Sequence, residues 1–108
     1  MYVREYLTSD GHSPFAAWFG ELDAQAAAKI TVAVARIGQG NLSNAKSVGG
    51  SVYEFRMNVW PGYRIYFARD GETIVILLGG GTKRRQQRDI EDAHARWQNY
   101  RDRKKGEM

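Results

Sequence analysis

Arg56, Arg64 and Lys83 are the side chains in this sequence best suited to chemistry, because guanidinium and ammonium groups neutralise the oxygens of an anion such as a phosphate. The two arginines lie in segments that alternate. Tyr53, Phe55 and Met57 face one way while Glu54, Arg56 and Asn58 face the other, and Ile65 and Phe67 oppose Arg64 and Tyr66 in the same manner. One face of such a sheet packs a core, and the other is expected to carry its guanidinium groups into solvent. An odd number of turn residues puts Arg56 and Arg64 on the same face. With three they stand directly opposite, a like-charge pair that destabilises an empty protein; with five, Arg56 faces Tyr66 and Arg64 faces Asn58. Glu54 shares that face and is read as a counter-ion to an arginine, contributing at most about 1 kcal/mol if exposed, in preference to a general base.

The run Gly79-Gly80-Gly81-Thr82-Lys83-Arg84-Arg85 lacks the G-x-x-x-x-G-K-[ST] spacing of a nucleotide-binding loop. It is read instead as a backbone of low bulk that leaves a strand and sets Lys83, with Arg84 and Arg85 beside it, where the polar sheet face ends. His94 falls off the apolar stripe of the last predicted helix and is read as exposed and non-catalytic. Trp18, Trp60 and Trp97 are read as core or rim residues in preference to base-stacking platforms.

The elements that must position these groups follow from periodicity and turn chemistry. Tyr2 to Leu7 reads as a strand ended by Thr8-Ser9-Asp10-Gly11. Ser13 caps a helix that starts at Pro14 and carries Phe15, Trp18, Phe19 and Leu22 on one side; Asp23 caps a second, with Ala26, Ile30, Val34 and Ile37 in line before Gly38 and Gly40. Asn41 to Ser51 is small and polar, reads as a loop, and holds Lys46. Three strands follow: Val52 to Asn58, Tyr63 to Arg69 and Thr73 to Leu78, joined by Trp60-Pro61-Gly62 and Asp70-Gly71. The last is apolar without alternation, as in a strand buried on both faces, and is expected to be central. A helix from about residue 86 to about 103 lines up Ile90, Ala93, Trp97 and Tyr100, with 104–108 as a disordered tail. The order β-α-α-β-β-β-α predicts one α+β domain over 1–108: an antiparallel sheet with the helical hairpin packed on one face and a C-terminal helix.

Composition narrows the chemistry further. The chain of 108 residues has no cysteine, and its two histidines, His12 and His94, are far apart, so no metal site and no cofactor are expected. The longest unbroken aliphatic run, Ile74 to Leu78, is too short to span a membrane, and Arg4 and Glu5 interrupt any signal segment, so a cytoplasmic protein is expected. The net charge of +4 is concentrated late: Lys83 to Lys105 holds nine Lys/Arg against four Asp/Glu. Such a segment suits nucleic acid through counterion release, or an acidic protein partner.

Taken together, Val52-Tyr53-Glu54-Phe55-Arg56, then Pro61-Gly62-Tyr63-Arg64-Ile65-Tyr66-Phe67, then Leu77-Leu78-Gly79-Gly80-Gly81-Thr82-Lys83, Gln86 and Arg88-Asp89-Ile90 resemble, in order and spacing, the HigB-like "addiction module killer" branch of the RelE/ParE toxin superfamily. The resemblance covers nearly the whole chain. It implies a toxin neutralised by a cognate helix-turn-helix antitoxin, and, as in RelE and HigB members, cleavage of mRNA on the ribosome. It puts Arg56, Arg64 and Lys83 in the catalytic positions, and Lys46 where a loop lysine is often found. Thr82 departs from the branch's usual acidic residue, and Arg84-Arg85 from small hydroxyl residues, which adds positive charge around Lys83.

RNA cleavage calls for activation of a 2′-hydroxyl, stabilisation of charge on the phosphoryl oxygens and a proton for the departing 5′-oxygen. Arg56 and Arg64 suit the second task, since arginine stays protonated. Lys83 suits either the second or the third. Lys46, Tyr66, Arg84 and Arg85 are the expected substrate-binding residues. Two other readings compete: a ParE-type toxin that poisons gyrase without hydrolysis, and a non-catalytic nucleic-acid- or protein-binding domain whose contact surface is the basic last helix, through Arg96, Arg101 and Lys104.

Overall fold

A computed structural model describes residues 1–107. Five strands form one sheet in the order β1-β5-β4-β3-β2, where β1 is Tyr2–Glu5, β2 Ala45–Ser47, β3 Val52–Arg56, β4 Tyr63–Asp70 and β5 Ile74–Thr82. Three α-helices, α1 (Pro14–Gly20), α2 (Ala24–Gly38) and α3 (Gln86–Gly106), complete the α+β domain; a single 3-10 turn, Lys83–Arg85, leads into α3. Both expected caps are present: Ser13 Oγ accepts from the Ala16 amide at 3.0 Å and Asp23 Oδ1 from the Ala26 amide at 2.8 Å.

The sheet has a core on each face. Against α1 and α2 it packs Phe55, Ile65, Phe67, Val75 and Leu77, which meet Phe15, Ile30, Ala33 and Ile37. Against α3 it packs Val52, Tyr66, Ala68, Ile76 and Leu78, which meet Ala93 and Trp97. The face expected to open to solvent is therefore largely roofed by α3. Polar residues on it are held in a dry environment, which sets the character of the site.

Four features differ from expectation. The strand expected to be central, β5, is buried on both faces but lies second in the sheet, and β4 takes the middle. The sheet is mixed: β1 runs parallel to β5, from Tyr2 opposite Ile74 to Glu5 opposite Leu77, because α1 and α2 carry the chain from that edge across to the other before the meander returns. Residues 45–47, taken as loop, form an edge strand with Lys46 opposite Glu54; an edge strand can be short and charged, so it carries no apolar alternation to reveal it. The last helix continues past Arg103 to Gly106.

The three consecutive glycines lie inside β5 and admit side chains from both faces. A Cβ on Gly80 would sit 2.3 Å from the Trp18 ring, and one on Gly81 would sit 2.0 Å from Asp89 Oδ2. At Gly79 the same atom would meet the Arg96 guanidinium, which donates to the Leu78 carbonyl at 3.0 Å. Gly80→Ala is expected to lower unfolding free energy by about 1–3 kcal/mol through overpacking. Gly81→Ala should cost less, because a carboxylate swings aside more readily than an indole; denaturant titration of both variants checks the order.

Candidate functional site

The register of the β3–β4 hairpin sets Arg56 directly opposite Arg64, the arrangement that like-charge repulsion disfavours. A third residue on the same face resolves it. Glu54, with no exposed surface, places Oε1 2.6 Å from Arg56 Nε and Oε2 3.5 Å from Arg64 Nε, while Gln86 Nε2 donates to Oε2 at 2.9 Å. Burial alone would raise the Glu54 carboxyl pKa, but the hydrogen bonds from Arg56 and Gln86 and the charges of Arg56 and Arg64 hold it below the ordinary carboxylate range. One buried carboxylate thus organises two guanidinium groups and leaves them a net positive charge.

Arg64 is itself 7% exposed, and its Nη1 donates to the Gly62 carbonyl at 2.9 Å, which ties the guanidinium to the turn. Gly62, at φ 81°, fits between that guanidinium and Lys83: a Cβ there would lie 3.4 Å from both Arg64 Nη1 and Lys83 Cβ. Lys83 follows the last residue of β5, and Thr82 pairs with Tyr63, so the strand register brings the lysine beside the hairpin. Arg56, Arg64 and Lys83 line one open groove of about 480 Å³, together with Asn58, Trp60 and Gly62.

The other expected substrate-binding residues are distributed differently. Tyr66 is 1% exposed and pairs with Glu54 across the β3–β4 hairpin, and burial followed by the Glu54 charge pushes its hydroxyl pKa up. It packs in the core between the sheet and α3, outside the groove lining. Lys46 is exposed on β2, across from Glu54 and outside the groove lining. Arg85 lines a separate groove with Asp89, Trp18 and Arg96, and Arg84 is exposed beside Lys83. His94 is half-buried: its Nε2 lies 3.0 Å from the Val48 carbonyl and 3.1 Å from that of Gly49, so this nitrogen carries a proton and secures the turn between β2 and β3.

Much of the basic last helix is occupied by structural contacts. Arg96 holds Leu78, Lys104 pairs with Asp70, and the Arg103 guanidinium lies 5.2 Å from the centre of the Tyr6 ring. Gln86 and Gly62 are the site residues that sequence reasoning left without a role. Both stand within the quoted motifs, but an amide's partner thirty-two positions away has no local signal.

A mixed sheet between a helical hairpin and a C-terminal helix, with a cationic groove at the β3–β4 turn, defines a small α+β domain compatible with the RelE-like fold. Residues 17–98 match the family described as "Phage derived protein Gp49-like (DUF891)". The chain belongs to this Gp49-like family, a family of RelE/ParE-like toxins. It is also similar to a protein of Haemophilus influenzae (strain ATCC 51907 / DSM 11121 / KW20 / Rd) described as "Uncharacterized protein", with 38% identity over 80 residues that cover 73% of this chain and 81% of that one. Family membership implies an antitoxin as partner. Among the described residues no helix is long and apolar enough to cross a membrane.

Proposed function

We propose that this protein is the HigB-like toxin of a toxin–antitoxin pair, a metal-independent endoribonuclease that cuts mRNA on the ribosome, inhibits translation in the cytoplasm and is silenced by a helix-turn-helix antitoxin. The observation that carries the reading is the convergence of Arg56, Arg64 and Lys83 on one groove. Two guanidinium groups in a fixed relation suit the non-bridging oxygens of a scissile phosphate, whose charge grows as the 2′-oxygen attacks. Lys83 then protonates the departing 5′-oxygen. Glu54 is not the base in this scheme, since both of its oxygens are engaged and buried.

The groove lining contains no carboxylate and no imidazole among the described residues. The proton of the 2′-hydroxyl therefore passes to a group outside it, and a substrate held in line by the ribosome supplies both that surrounding and the alignment. This supports ribosome dependence. It also weighs against the basic-helix reading that Arg96 and Lys104, two of the three cations it requires, are already engaged within the fold.

The test is a purified translation system with a defined mRNA, run with and without the protein, with 5′ ends mapped by primer extension. New ends within translated codons, absent when ribosomes are omitted, are expected. Intact mRNA together with inhibited gyrase supercoiling would overturn the nuclease assignment in favour of the gyrase poison.

A further inference from the structure

Trp60 is the most exposed large apolar residue among the described residues, at 92%, and it stands on the rim of the groove that Arg56, Arg64 and Lys83 line. The other two tryptophans behave otherwise: Trp97 is buried in the core under α3, and Trp18 packs over Gly80. An indole left in water forgoes the stabilisation that burying 150–250 Å² of aromatic surface would supply, so its position asks for a reason outside the folded chain.

The turn that carries it is bonded to the site. The Gly62 amide donates to the Val59 carbonyl, closing the turn around Trp60, and the Gly62 carbonyl accepts from Arg64. The turn that carries the ring is thus tied to the same guanidinium that lines the groove. An aromatic face next to fixed cations is the pattern that holds single-stranded nucleic acid, in which a base stacks while the adjoining phosphate is neutralised. An apolar protein segment would not be drawn to a rim with three cations on it, whereas a polyanion with flat bases would be.

We propose that Trp60 is a base-stacking residue that receives the unpaired nucleobase next to the scissile phosphate and so adds to the affinity of the RNA for the groove of Arg56 and Arg64. The inference rests on the endoribonuclease reading above. Stacking accepts any base, so Trp60 supplies affinity, with purines favoured for their larger face.

The test compares the full-length protein with Trp60→Ala and Trp60→Phe in the ribosomal cleavage assay, and measures binding of a short single-stranded RNA made uncleavable by 2′-O-methyl groups. Trp60→Ala is expected to raise KM and weaken oligomer binding about ten-fold, the size of one lost base–aromatic stack, with kcat within about two-fold and melting temperature unchanged. Trp60→Phe should recover most of the loss. An abasic nucleotide next to the scissile position should erase the difference between the native protein and Trp60→Ala. A native protein that cleaves while Trp60→Ala matches it in KM and binding would overturn this inference alone; so would a Trp60→Ala defect confined to antitoxin binding. A native protein that leaves mRNA intact would overturn the functional reading and this inference with it.

Discussion

Glu54→Ala is expected to lower the unfolding free energy by about 3–5 kcal/mol, the range for removing one partner from a buried ion pair. The variant leaves Arg64 at 7% exposure facing Arg56 across the hairpin with no carboxylate between them, and it strands the Gln86 amide. Urea unfolding at neutral pH measures the loss; a variant within about 1 kcal/mol of the native protein would mean that the arginines escape to water at little cost. The same cluster gives the protein an acid limb. Because the folded Glu54 titrates below its ordinary value of 4.5, its contribution is complete above that pH and falls away as the pH drops through the lower folded value. Glu54→Gln should flatten that part of the stability profile while costing less than alanine, since glutamine keeps the shape and can still accept from Arg56.

The cluster also shows what could be read from the chain and what could not. Alternation placed Glu54, Arg56, Arg64 and Tyr66 on one face, and the caps at Ser13 and Asp23 marked α1 and α2, because these signals depend on neighbours a few residues away. That the polar face lies beneath α3 depends on how a helix starting at Gln86 folds back over strands thirty residues earlier, which no local period encodes. The missing roof explains why Glu54 reads from the sequence as an exposed ion-pair partner worth little, although it is fully buried. The turn illustrates the reverse case. Trp60, read as core or rim, stands on the rim of the groove: residue type does not choose between the two, and the Gly62 and Arg64 contacts are local ones that shape a turn lying outside both cores.

Lys83→Ala is expected to reduce mRNA cleavage by about 100- to 1,000-fold, the loss typical of deleting one group that stabilises or protonates the transition state. It is a cleaner probe than Arg64→Ala, because Lys83 is exposed and its side chain has no hydrogen bond or ion pair among the described residues, whereas Arg64 is built into the Glu54 cluster and its removal also weakens the fold. Thermal unfolding of Lys83→Ala should therefore match the native protein while cleavage in the translation system collapses; full cleavage by this variant would remove Lys83 from the site. Lys83→Arg then separates the two roles open to the lysine. An arginine retains the charge but does not give up its proton near neutral pH, so it preserves activity if only the field matters and fails if a proton must be delivered. Arg56 and Arg64 already supply two permanent cations to the groove, and a third adds least where the unmet need is a proton on the leaving oxygen. Lys83→Arg is accordingly expected to be nearly as inactive as Lys83→Ala, with kcat lowered and KM little changed.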